Sequence, residues 1–278
     1  MGYRHILVHV DARSSAPDRA RLAAHLAARQ GAHLTGVFLT SDFFRQYGAF
    51  DGIAGLSPEA IDDLLKDQRK ATDDASEAAR STFESTAADA GVKSEWLSIS
   101  GDDHQPTIGL ARRADLTVFP LEAAANFGQN RISAAQLALA CGGPVLVVPP
   151  EVLNVDIGKR VLVAWNGGRE AARALKDAWP LIAQAEEVHV LIVSPKEEDS
   201  ADGALQRLFE HHGLQANVIV YPSDDLSAPD VILEHVKSLS ADLVVMGLYG
   251  RPRLQELVLG GVSRELLARC SVPLLVSH

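Results

Sequence analysis

The sequence predicts an α/β fold built as two tandem doubly wound parallel-sheet domains of Rossmann-like type. Three observations carry this expectation. Short runs rich in Val, Leu and Ile alternate with Ala- and Leu-rich helical stretches, and the whole alternation occurs twice along 278 residues. Aromatic residues make up only 5% of the chain against 47% hydrophobic residues, so branched aliphatics must fill the cores. Such runs suit parallel strands covered by helices on both faces.

The first strand pattern, His5-Ile-Leu-Val-His-Val-Asp11, recurs 155 positions later as Arg160-Val-Leu-Val-Ala-Trp-Asn166. Each leads into a helical pattern, around Asp18 in the first copy and from Glu170 in the second. Ala114-Asp-Leu-Thr-Val-Phe-Pro120 matches Ala241-Asp-Leu-Val-Val-Met-Gly247 at an offset of 127, and the segments starting at Cys141 and Cys270 match at 129. The falling offset places roughly 27 extra residues in the first copy. They begin around Ser41 to Gly55 and continue into a long helix expected over about Pro58 to Ala90. Proline and glycine in 149–158 break the pattern, so the domains are expected at 1–150, with an insertion around 41–90, and at 158–278. In the second copy, strands are expected near 160–165, 187–193, 216–221, 242–246 and 273–277, joined by right-handed crossovers.

A formal charge of −10 opposes broad binding to nucleic-acid or acidic-membrane surfaces. The amino terminus enters a strand pattern directly and no apolar run reaches about 18 residues, which points to a cytoplasmic protein with no membrane span. Cys141 and Cys270 occupy equivalent places in the repeat and read as small buried hydrophobes rather than a disulfide or zinc set.

Ligands in doubly wound sheets bind at the carboxyl ends of strands, beside the switch in strand order. In the second copy that rule points to 165–168, 193–195 and 247–250. After the fourth strand come Met246, Gly247, Gly250, Arg251 and Arg253, then Gly260, Gly261, Val262 and Ser263 at the start of the last helix. Glycine at the strand end is expected to bend with positive φ and let the backbone approach a ligand. The unpaired N–H groups of the helix start, with its dipole, form an anion site, and Ser263 is expected to cap the helix or bind a phosphate oxygen. The bland reading of these glycines is turns and a helix cap.

This constellation resembles the universal stress protein family, whose ATP-binding members carry G-2x-G-9x-G-[ST] here. Gly247, Gly250 and Gly260 reproduce the glycine spacing, and the resemblance spans the chain as a tandem member. It implies a sheet of the adenine nucleotide alpha hydrolase-like type and a bound ATP or related adenine nucleotide, with Mg²⁺ as its accompanying ion. The implied contacts are Ala164 and Asn166 at the end of the first strand, Val193 framing the adenine, Met246, Gly247, Gly250, Arg251, and Gly260 to Ser263. Gly261 stands where the family has Ser or Thr, Asn166 where Asp is usual, and Tyr249 where His is common. The resemblance also implies that Val145–Val148 and Leu274–Val276 pair the halves about a pseudo-twofold axis, with a homodimer of full chains as a further level.

The first copy lacks the glycine pattern. Pro120 and Ala123 replace Gly247 and Gly250, removing an N–H and resisting positive φ. Ser133 remains as a helix cap, and Asp11 keeps one acidic nucleoside contact. Phe43, Phe44, Tyr47 and Phe50 place four of the twelve Phe and Tyr residues within eight positions, as a loop folded on its own domain or as a docking loop for an unknown protein partner. The competing function is therefore an interaction protein acting through its surface or this aromatic insertion. Ten scattered histidines show no metalloprotease spacing, His211-His212 reads as a helix end, and Asp102-Asp103 and Asp224-Asp225 read as acidic helix starts rather than Mg²⁺ ligands. With no GxSxG elbow and no Walker lysine, the only enzymatic reading is a slow ATPase without an assignable base.

Overall fold

One ten-stranded sheet, rather than two separate ones, organises the chain. The computed structural model describes residues 2–40, 57–100, 103–121, 132–152, 154–194, 199–222, 227–248 and 261–278. The aromatic insertion at 43–54 lies outside the described residues.

The first half contributes β1 (His5–His9), α1 (Ala16–Gln30), β2 (His33–Thr40), α2 (Pro58–Asp89), β3 (Ser94–Ser100), α3 (His104–Ala111), β4 (Leu116–Pro120), α4 (Ala134–Cys141) and β5 (Val145–Val148). The second contributes β6 (Arg160–Trp165), α5 (Arg169–Asp177), α6 (Trp179–Ile182), β7 (Glu187–Ser194), α7 (Asp199–His211), β8 (Asn217–Pro222), α8 (Ala228–Ser238), β9 (Leu243–Gly247), α9 (Gly261–Arg269) and β10 (Leu274–Ser277). Sequence signals mark the helix ends. Ser57 and Ser133 cap α2 and α4, the latter as a full capping box with Gln136, and Asp103 caps α3. Gly31 takes a left-handed φ of 62° to close α1.

Strand order is β3-β2-β1-β4-β5-β10-β9-β6-β7-β8. Read from either outer edge, it is the same order of five parallel strands. Registers confirm the repeat residue by residue. Leu7 faces Thr117, as Leu162 faces Val244, and Thr117 faces Val145, as Val244 faces Leu274. Each half is parallel throughout, and β5 and β10 pair antiparallel, Leu274 opposite Val147 and Val276 opposite Val145, so the joined sheet is mixed. This is the pairing expected of the two final strands. It turns the second half end for end, so the carboxyl ends of β1–β5 and those of β6–β10 lie at opposite edges of the sheet.

One face of the sheet carries α1, α2, α5, α6 and α7 over a core running from Tyr3 to Leu275, and the other carries α3, α4, α8 and α9. Polar contacts cross the seam. The buried Tyr3 hydroxyl donates to the Asp177 carbonyl at 2.6 Å, and Arg29 and Arg173 donate to the carbonyls of Ile157 and Gly142 at 2.7 and 3.0 Å. Burial pushes the Tyr3 phenol up, helped by Asp177 and Asp115, so it stays a neutral donor.

Each half anchors its first strand with the aspartate before its fourth. Asp115 accepts from the backbone N–H groups of Arg4 and His5 at 2.7 and 3.0 Å. Asp242 accepts from Gly158, Lys159 and Arg160 at 2.7, 3.1 and 3.2 Å. Replacing Asp242 by Ala leaves three backbone donors at the start of β6 without their carboxylate. Urea unfolding of Asp242→Ala is expected to show a loss of about 2 kcal/mol, and a loss below about 0.5 kcal/mol would contradict the anchoring role.

Candidate functional site

In the second half, the switch in strand order falls between β6 and β9, and most of the sequence-predicted residues meet at the carboxyl ends of β7, β6 and β9. Ala164 stands opposite Met246 in register, Gly247 ends β9, Asn166 follows β6, and Val193 lies near the end of β7. Ala164 and Val193 are half-buried and Met246 is buried. Because α9 follows β9 and returns to the parallel β10, its N-terminus faces this same edge. Gly261 and Val262 are exposed there, while Ser263 is buried. Gly250, Arg251 and Gly260, with Tyr249 and Arg253, lie outside the described residues, as do Asp102, Asp224 and Asp225.

Local geometry corrects two expectations. Gly247 is not among the glycines with positive φ. Its missing side chain serves close packing instead: a Cβ there would stand 2.4 Å from the Glu170 carbonyl carbon and 2.5 Å from the Ala171 nitrogen. The glycine thus lets the end of β9 press against the first turn of α5. Ser263 is the third residue of α9, inside the helix rather than at its cap.

Asn166 keeps half of what an aspartate would do. Its Oδ1 accepts from the Gly168 N–H at 2.9 Å, as Asp11 Oδ1 accepts from the Arg13 N–H at 3.1 Å. Both side chains close the same turn through one oxygen, so the turn survives the loss of charge. Gly167, at φ 74°, and Gly168 then lead into α5. Glu170, buried beside Gly247, accepts from Arg169 at 2.5 Å. Burial opposes its ionisation, but the Arg169 hydrogen bond, its own backbone N–H, the Arg169 charge and His278 together hold the carboxyl below its ordinary range. His278 closes this side, with Nδ1 3.1 Å from the Leu248 carbonyl.

The equivalent edge of the first half is filled differently. The buried positions Ala16, Arg19, Ala20 and Ala23 of α1 match Ala171, Ala174, Leu175 and Ala178 in the second half at a constant offset of 155. Arg19 is 2% exposed, donates from Nε to the His9 carbonyl at 2.8 Å, and sets Nη2 3.2 Å from Asp11 Oδ1. His9, in the place of Ala164, packs on Phe119, in the place of Met246, with ring centroids 4.9 Å apart. Asp11 is therefore committed to Arg19 and to the Arg13 turn, which corrects its reading as a surviving nucleoside contact. Burial opposes the charge on Asp11, yet Arg19, His9 and the Arg13 N–H and guanidinium outweigh it and hold the carboxyl below its ordinary range. Sequence reasoning missed this plug, although an arginine on the alanine stripe of α1 was its signal.

Among the described residues, no group of three or more His, Cys, Asp and Glu side chains is placed to hold a metal ion, and no helix is long and apolar enough to cross a membrane. What the second-half edge offers is backbone N–H groups, a helix dipole and an apolar strip, which are means of binding an anion joined to a flat apolar group.

The profile of the universal stress protein family matches residues 223–278. A universal stress protein of Synechocystis is 23% identical over 159 residues, covering 54% of this chain and 53% of that protein. The stress response protein NhaX of Bacillus subtilis is 28% identical over 97 residues, covering 35% of this chain and 56% of that protein. The chain thus spans about half the length of the curated relatives it matches. Among solved structures, a universal stress protein from Archaeoglobus fulgidus shares the fold, with a TM-score of 0.71 over 98% of this chain and 97% of that one at 18% identity.

Removing Arg19 alone leaves Asp11 in the interior without its neutralising partner. Arg19→Met is expected to cost about 3–5 kcal/mol in urea unfolding, and adding Asp11→Asn is expected to restore most of it. A double variant no more stable than the single one would contradict the pairing. The lowered folded pKa of Asp11 gives the sign with pH. Its contribution is complete above the ordinary aspartate value of 3.8 and is lost as pH falls through the lower folded value. Acidification through that range should therefore weaken the wild type more than Asp11→Asn.

Proposed function

We propose that the chain is a protein of the universal stress type and that it binds one adenine nucleotide per chain, ATP or a close relative, at the carboxyl edge of β7-β6-β9. In this reading the chain holds two universal-stress-type domains, residues 1–150 and 158–278. The second binds the ligand and the first serves as its permanent partner. Each residue then has a physical task. The N–H groups at the start of α9, with Gly250 and Gly260 before it, cradle the phosphates. Asn166 offers its amide to the ribose while its Oδ1 holds the turn, and Ala164, Val193 and Met246 give the base an apolar seat. Arg251 adds charge toward the phosphates. A protein working in the cytoplasm, where ATP is abundant, fits this reading, and its acidic surface is no obstacle because the binding groups are backbone dipoles at one edge.

One observation favours it above the rest: the unequal filling of two edges whose strands share the same order and register. Arg19, Asp11, His9 and Phe119 close the first, whereas Ala174, Asn166, Ala164 and Met246 leave the second with small or neutral groups in the same places. Calorimetric titration of the full chain with ATP is expected to give one site. Asn166→Ala should weaken binding about tenfold, the equivalent of about 1.4 kcal/mol, while Arg13→Ala in the first half should leave it unchanged. No saturable binding up to about 1 mM, or two equal sites per chain, would rule the proposal out.

A further inference from the structure

We propose that Tyr221 is the residue that selects a purine base at this edge, by stacking against it. The inference rests on the nucleotide-binding reading above and names a specificity residue that reading did not contain.

The position follows from strand register. Val193 faces Tyr221 across β7 and β8, and both belong to the side chains packed on the face covered by α8 and α9, together with Ala164 and Ile219. Ala164, Val193 and Tyr221 are each only half-buried, so near the carboxyl ends of three neighbouring strands this face carries a strip of apolar surface that the helices do not fully cover. The strip starts at Ala164, two residues before Asn166, and runs away from β9 and the start of α9. A nucleotide with its phosphates at α9 and its ribose at Asn166 therefore extends its base along the strip toward β8.

Tyr221 also has a defined orientation. Its ring meets His235 of α8 edge to face, with centroids 5.6 Å apart at 85°. His235 is itself fixed, with Nδ1 2.8 Å from the Val231 carbonyl, an oxygen that only accepts. A ring held this way loses little freedom when a base stacks on it, and stacking on an aromatic side chain strengthens with the size of the base.

The internal repeat supplies an independent comparison. Leu39 faces Ile99 in the first half where Val193 faces Tyr221 in the second, so the equivalent of Tyr221 is aliphatic. The aromatic ring occurs in the half that has the glycine spacing and small residues at its edge, and an isoleucine occurs in the half that Arg19 plugs. The register position itself does not require an aromatic side chain, because Ile99 occupies it in the first half.

The test compares ATP with CTP on the full chain for wild type, Tyr221→Leu and Tyr221→Phe. Folding is checked by thermal melting, and tripolyphosphate is titrated as a probe of the phosphate cradle. Wild type should prefer ATP over CTP. Tyr221→Leu should lose about tenfold in ATP affinity and most of that preference while its tripolyphosphate affinity stays put, and Tyr221→Phe should behave as wild type. Saturable ATP binding by wild type with an unchanged ATP-to-CTP ratio in Tyr221→Leu overturns the role of Tyr221 and leaves the nucleotide site standing. An equal loss in Tyr221→Phe also overturns it, since a hydroxyl contact rather than stacking would then be at work. Absence of binding by wild type to any of the three ligands overturns both proposals together.

Discussion

The antiparallel pairing of β5 with β10 is the interaction on which the rest of the architecture depends. Each half alone would end its sheet in a short strand of four buried residues, all aliphatic but Ser277, an edge with unpaired backbone groups and apolar side chains in water. Pairing the two edges removes both liabilities at once and lets a single core run across the seam beneath α1, α5 and α6. The pairing also fixes geometry. Because β10 runs against β5, the two carboxyl edges point away from each other, and the functional edge of one half cannot obstruct that of the other.

That separation explains how the two edges can differ so much on nearly the same backbone. Strand registers are shared between the halves, yet one edge holds a buried ion pair and an aromatic contact while the other holds alanines and an amide. The buried pair is not a cheap filler. Taking Arg19 and Asp11 out of water costs several kcal/mol per ion, recovered through their mutual attraction and through hydrogen bonds to the His9 carbonyl and the Arg13 N–H. Burial also works against the charge on Arg19, with Asp11 partly restoring it. A half that had to admit a ligand at this place would have no room for such an arrangement.

Much of this was legible in the sequence because it depends on periodicity. Alternating strand and helix patterns, the matched segments at Ala114 and Ala241, and the paired Cys-x-x-Pro segments gave the repeat and the strand positions, while the seam came from the family resemblance. Helix starts at Ser57, Asp103 and Ser133 follow from capping chemistry that acts within a few residues. What was not legible depends on distant contacts. Gly247 looked like a ligand-facing bend, but its requirement comes from Glu170 and Ala171, more than seventy positions earlier in the chain. Asp11 looked like a retained contact because nothing in its own segment reveals that Arg19 reaches back to it. Tyr221 carries no motif, and only the register of β7 against β8 sets it beside Val193.

The reassignment of Gly247 strengthens the case for the proposed binding edge rather than weakening it. A side chain there would push α5 away from β9, and α5 carries at its start the turn that Asn166 closes. The close approach therefore sets where Asn166 stands relative to the end of β9. In the first half Pro120 stands at the matching position and Ser15 precedes α1 where Glu170 stands in α5, so the same approach is not built. In the proposed site, a rigid contact between β9 and α5 would hold Asn166 in a fixed place beside the end of β9 without any part of a ligand touching Gly247 itself.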